Sequence, residues 1–257
     1  MPFDFRRNPL QVKVPKVLVI DFRPTGIPQE WANTNSLINE YIEAMIQVSH
    51  KILINQVVAN LDIPNYPLLT DGRQYNDTTW TQALADDKAA FRDPHGNYML
   101  ADYQRILQDY KILQAIQINK IDEVWMFGGP YFGFYESRMV GTGAFWCNAP
   151  GIEQTSRRFV IMGFNYQRTA QEMIHSFGHR AESILTKKYN SQDFFNCLYR
   201  QQPTPAPKNE FEQWLLDHGT VHRTPGGAEY GQNEFSWASA LKPEWWPLII
   251  DPNKVSL

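Results

Sequence analysis

Cysteine is scarce. Cys147 and Cys197 are the only two in 257 residues, they lie far apart, and neither belongs to a C-x-x-C pair. That excludes a disulfide framework and is compatible with a reducing compartment. An excess of one charge is missing as well: 24 Lys+Arg against 27 Asp+Glu give a formal net charge of -3. Without a basic field to neutralise phosphates, nucleic acid is excluded as the main partner. Long hydrophobic runs are absent, since VLVI at 17–20 is far too short to span a bilayer and the polar start MPFDFRRNPLQ has no signal-peptide core. A soluble, cytoplasmic chain with no membrane partner is the expectation. There is no internal repeat, no P-loop and no Rossmann glycine fingerprint.

What the chain has is apolar mass. With 43% hydrophobic and 14% aromatic residues it can bury a large core, and its length suits one domain over 1–257. VKVPKVLVIDF at 12–22 predicts a strand, Asn35 a helix cap before SLINEYIEAMIQVSH, and KILINQVVANL at 51–61 a second strand. This order predicts an α/β domain, a mixed sheet with flanking helices. Residues 62–97, broken by proline and glycine, read as a loop-rich surface excursion with a short helix near 79–91. A single helix is expected over 102–118 and a third strand over 122–129, ending in two glycines. Residues 200–257 read as an irregular carboxy-terminal segment, apart from a short helix at 209–219 closed by Gly219.

The chemistry concentrates in RTAQEMIHSFGHRAESILTKK, 168–188. Thr169 with Glu172 forms a capping-box pattern, so a helix starts there, and Lys187 and Lys188 suit its carbonyl end. At about 100° per residue, Ala170, Met173, Ile174, Phe177, Ala181, Ile184 and Leu185 fall on one side, the expected core face. Glu172, His175, His179 and Glu182 form a narrow arc opposite. Two histidines at i and i+4 present two imidazoles to a single metal ion. Polar residues opposite an apolar face also suit an ordinary surface helix.

This stretch resembles the zincin class of zinc metallopeptidases, whose active-site helix reads HExxH, often HExGH; here it reads HSFGH. The resemblance spans roughly 157–188 and implies a zincin-like central helix, with zinc or another divalent transition metal on His175 and His179. It makes RRFVIMGFNY, just upstream, similar to the edge strand along that class's substrate cleft. A third ligand is implied further down the chain: His222 is the first candidate and Glu182 the second. Ser176 stands where the class has its general base, and a hydroxyl cannot take a proton from an attacking water near neutral pH as a carboxylate does.

Glu136, in the aromatic and glycine-rich loop 130–147, is the candidate substitute base; a salt bridge to a nearby arginine is its ordinary alternative. That loop reads as the wall of a cleft. Cys147 is a conceivable thiol nucleophile but reads better as a small buried residue. Trp245 and Trp246 form either a sugar-stacking platform or packing over the core. The function expected is a metal-binding, metallopeptidase-like hydrolase or an inactive relative. The alternative is a non-catalytic domain that binds carbohydrate or a protein partner. The ligand classes are small molecule, peptide and carbohydrate.

Overall fold

The computed structural model describes residues 11–31, 33–223 and 233–256. The amino-terminal residues 1–10 and residues 224–232 of the carboxy-terminal segment expected to be irregular lie outside the described residues. The fold is α/β with a five-stranded mixed sheet. Its contacts divide into a sheet unit, Lys16–Ile38 with Val57–Thr169, and a helical unit formed by the described residues of Met1–Pro15, Asn39–Gln56 and Ala170–Leu257.

In the sheet unit, β1 (Lys16–Phe22) leads to α1 (Thr34–Val48), whose later residues count with the helical unit. Asn33, rather than the expected Asn35, sits at the cap: its side chain accepts from the Asn35 amide at 2.9 Å. β2 (Gln56–Ile63) starts later than the expected strand, because His50 and Lys51 take positive φ and end the helix in a turn. α2 (Asp77–Ala85), α3 (Tyr103–Asp109) and α4 (Ile112–Asn119) follow. The single helix expected over 102–118 is two, since Lys111 adopts the left-handed conformation with φ 52. The break resets the helical phase, so Ile112 is buried and Leu113 only half-buried.

β3 (Glu123–Gly128), β4 (Ser137–Val140) and β5 (Phe159–Asn165) complete the sheet in the order β2-β1-β3-β5-β4. β1, β3 and β5 run parallel, and β4 pairs antiparallel with β5. β5 is therefore interior and not the edge strand that the resemblance implied; among the five strands the edges are β2 and β4. FVIMGFN is buried along all but its last residue. Such an unbroken apolar run belongs to a strand covered on both faces. The 62–97 excursion is more than surface: Trp80 and Tyr66 are buried, and both pack on Phe132.

The helical unit is built round α5 (Ala170–Tyr189), with α6 (Gln192–Tyr199), α7 (Glu210–His218), α8 (Glu234–Ser239) and α9 (Trp246–Ile250) against it. Phe177 stacks on Trp246 with ring centres 5.4 Å apart and planes at 12°. The expectation of one core face and one outer arc on this helix is corrected, because from Met173 to Leu185 only Ser183 is not buried. Polar side chains survive there because each has a partner. Arg180, for example, donates Nε to the Ile249 carbonyl and Nη2 to the Ile250 carbonyl, both at 3.0 Å. Trp245 and Trp246 are buried, so they are no sugar-stacking platform.

Candidate metal centre

Every residue of the candidate centre belongs to the helical unit. His175 and His179 project from neighbouring turns of α5, and His222 stands in the turn that follows α7. The three rings form a near-equilateral triangle, with centres 4.8 Å apart for His175 and His179, 4.8 Å for His175 and His222, and 4.7 Å for His179 and His222. One nitrogen from each lies within 4.8 Å of the others. Three imidazoles converging on one tetrahedral ion at Zn–N distances of about 2.0–2.1 Å would put their ring centres about 5 Å apart. Among the described residues, this is the one group of His, Cys, Asp and Glu close enough to hold a metal.

Glycine makes the approach possible. A Cβ on Gly178 would lie 2.4 Å from Val221 Cγ2 and 3.3 Å from the Trp237 ring, so the segment carrying His222 reaches α5 only where the helix has no side chain. The mid-helix glycine, which costs roughly 1 kcal/mol of helix propensity relative to alanine, is explained by that contact.

Buried carboxylates stand behind two of the rings. Glu234 Oε1 is 3.1 Å from His175 Nδ1, and Glu182 Oε2 is 3.6 Å from His179 Nδ1. A carboxylate at Nδ1 favours the tautomer with its proton there, which puts the lone pair on Nε2 and fixes the ring plane. The same carboxylate of Glu182 accepts the Val221 amide at 2.6 Å through its other oxygen. Glu182 therefore stands at the back of the histidines and does not join the three-residue group. His222 is exposed and Tyr199 of α6 lies beside it, with ring centres 5.7 Å apart.

The remaining sequence candidates are placed as follows. Ser176 is buried, and its hydroxyl donates to the Glu172 carbonyl at 3.5 Å. Glu136 belongs to the sheet unit, where Arg168 Nη1 lies 3.4 Å from one oxygen and Asn148 Nδ2 donates to the other at 3.1 Å. The ring of Phe132, in the loop expected to wall a cleft, is buried among Tyr66, Trp80 and Phe134. Cys147 is buried with its sulfur 3.6 Å from the Ser137 hydroxyl. The sequence reading missed Glu234, which follows a glycine-rich stretch and has no local pattern to mark it.

Compared with known proteins, the chain matches no family model, no curated protein and no solved structure.

Proposed function

We propose that His175, His179 and His222 hold a divalent transition metal, zinc first, in a metallopeptidase-like hydrolase centre carried on a zincin-like helix. The observation that carries this reading is the triangle of imidazoles, two of them backed by buried carboxylates at Nδ1. Three imidazoles are the donor set of catalytic rather than closed structural zinc sites, and they leave a coordination position for water or substrate. The ion would act as a Lewis acid toward a carbonyl and lower the pKa of water. The protein's own part is to fix the rings, and the exposure of His222 gives a ligand its approach. A small molecule, peptide or carbohydrate is the ligand class. The two free cysteines favour a cytoplasmic setting, and among the described residues no helix is long and apolar enough to cross a membrane.

A second reading is supported by Ser176. The usual carboxylate between the two histidines is missing, and loss of a general base lowers the rate by about 10²–10⁴-fold. On that reading the centre binds a carbohydrate or protein partner without turnover, as an inactive relative would. Zinc-loaded and chelator-treated protein should be compared on a panel of peptides and esters. The hydrolase reading expects turnover that chelation abolishes and zinc restores. Stoichiometric zinc with no turnover across the panel selects the binding reading, and turnover that ignores the chelator contradicts both.

A further inference from the structure

The sheet unit holds a concave site that owes nothing to the histidines. At the carboxyl ends of β1 and β2, over the first turn of α1, lies a cavity of about 550 Å³ lined by Asp21, Arg23, Asn33, Thr34, Asn60 and Asp62. Like the ligand crevices of open α/β sheets it opens beyond the carboxyl ends of strands, here on the β2 side of β1 rather than between β1 and β3, where the strand order reverses. The volume falls within the range of roughly 300–1,000 Å³ typical of small-molecule sites, too large for a lone ion.

We propose that this cavity binds a neutral polyhydroxylated small molecule, a sugar or the ribose of a nucleoside. Its floor is already organised. Thr34 Oγ1 donates to Asp21 Oδ2 at 2.6 Å, and the Tyr166 hydroxyl donates to the other oxygen of the same buried carboxylate. The Arg23 guanidinium lies over the Tyr166 ring at 4.1 Å and donates Nη2 to Thr34 Oγ1 at 3.3 Å. The rim adds the amides of Asn33 and Asn60 and the Asp62 carboxylate, which accepts from Asn60 Nδ2 at 3.0 Å. The exposed Asn35 amide completes it.

The chemistry of this lining selects among ligands. Amides place a donor beside an acceptor, carboxylates accept and a guanidinium donates; vicinal hydroxyls, each both donor and acceptor, match that alternation. Two carboxylates against one guanidinium leave the lining with one net negative charge, which disfavours a phosphate. Arg23 Nε lies 3.8 Å from Asp21 Oδ2, which disfavours a bare cation. Only Ile63 and Pro64 are apolar, so an oily ligand is poorly served.

Saturation-transfer NMR and calorimetric titration of the full chain with D-glucose, D-galactose, D-mannose, D-ribose and adenosine test the proposal, with inorganic phosphate as the anionic comparison. Saturable binding of at least one polyol is expected. The exposed-residue double variant Asn35→Ala/Asn60→Ala should weaken it tenfold or more, and Ile118→Ala, at an exposed position outside the lining, should leave it unchanged. Preference for adenosine over the free sugars would identify the ribose source, and the reverse a saccharide. Absence of saturable binding by every polyol, phosphate binding in their place, or affinity indifferent to the double variant overturns the proposal.

Discussion

Glu182 fastens Val221 to the central helix: its carboxylate accepts the Val221 amide at 2.6 Å through Oε1, while Oε2 stands 3.6 Å from Nδ1 of His179. One buried side chain thus orients a histidine on α5 and anchors the residue next to His222. Glu182→Ala removes both contacts and should lower zinc affinity by about 10–100-fold, the usual consequence of losing an outer-sphere carboxylate. Glu182→Gln keeps an acceptor for the amide and should cost less. Competition against a chromophoric chelator measures both. Equal affinity for wild type and Glu182→Ala, with the fold intact by circular dichroism, would show that the carboxylate is not a positioning group.

Gly178→Ala sets two effects of known size against each other. Alanine improves helix propensity by roughly 1 kcal/mol, but its Cβ would overlap Val221 Cγ2, 2.4 Å away. Val221 is buried with a short branched side chain, and overpacking of that kind costs about 1–3 kcal/mol. The overlap should win or at best be balanced, and His222 should be displaced with its neighbour. A lower denaturant midpoint together with weaker zinc binding is the expected pair of results. A stabilised variant with unaltered zinc affinity would contradict the close-approach account.

Phe177 is 2% exposed and stacked on Trp246. Phe177→Ala should destabilise by about 3–5 kcal/mol, the range for a buried aromatic truncated to alanine. Denaturant unfolding checks this, and a midpoint that hardly moves would mean that the ring is not packed as described.

The i, i+4 spacing makes His175 and His179 neighbours on any helix, so their proximity is legible from the sequence. Their surroundings are not. Polar residues on a helix ordinarily face water, and a periodicity argument therefore turns the Glu172–His175–His179–Glu182 arc outward. His175, His179 and Glu182 of that arc can lie inside because Glu234 and the Val221 amide are brought to them from distant segments. No local pattern encodes those partners. The same limit explains β5: its continuous apolar run shows that it is a strand, but its place between β3 and β4 depends on which partners pair with it. The break at Lys111 escaped because a lysine in the left-handed conformation has no signature of the kind glycine provides.

A pH dependence follows from Asp77, which opens α2. Hydrogen bonds from Thr25 and Tyr66 hold its carboxyl below the ordinary value of 3.8. Burial, helped by that carboxylate, pushes the Tyr66 phenol above 10.0. For the depressed acid, the stabilisation is present above pH 3.8 and is lost as pH falls through the lower folded value. For the raised phenol it is present below pH 10.0 and fades as pH climbs toward the higher folded value. In Asp77→Asn the acid-side contribution of this group should disappear. Urea unfolding as a function of pH reads the difference, and parallel acid limbs for the two proteins would rule the carboxylate out as a contributor.

The most direct test of the central claim is elemental analysis of the purified protein after zinc loading and exhaustive dialysis, beside His175→Ala, His179→Ala and His222→Ala. Two imidazoles alone bind weakly, so retention through dialysis requires all three. The account predicts close to one zinc per chain in the wild type and far less in each variant. Substoichiometric metal in the wild type, or full retention in His222→Ala, would contradict it.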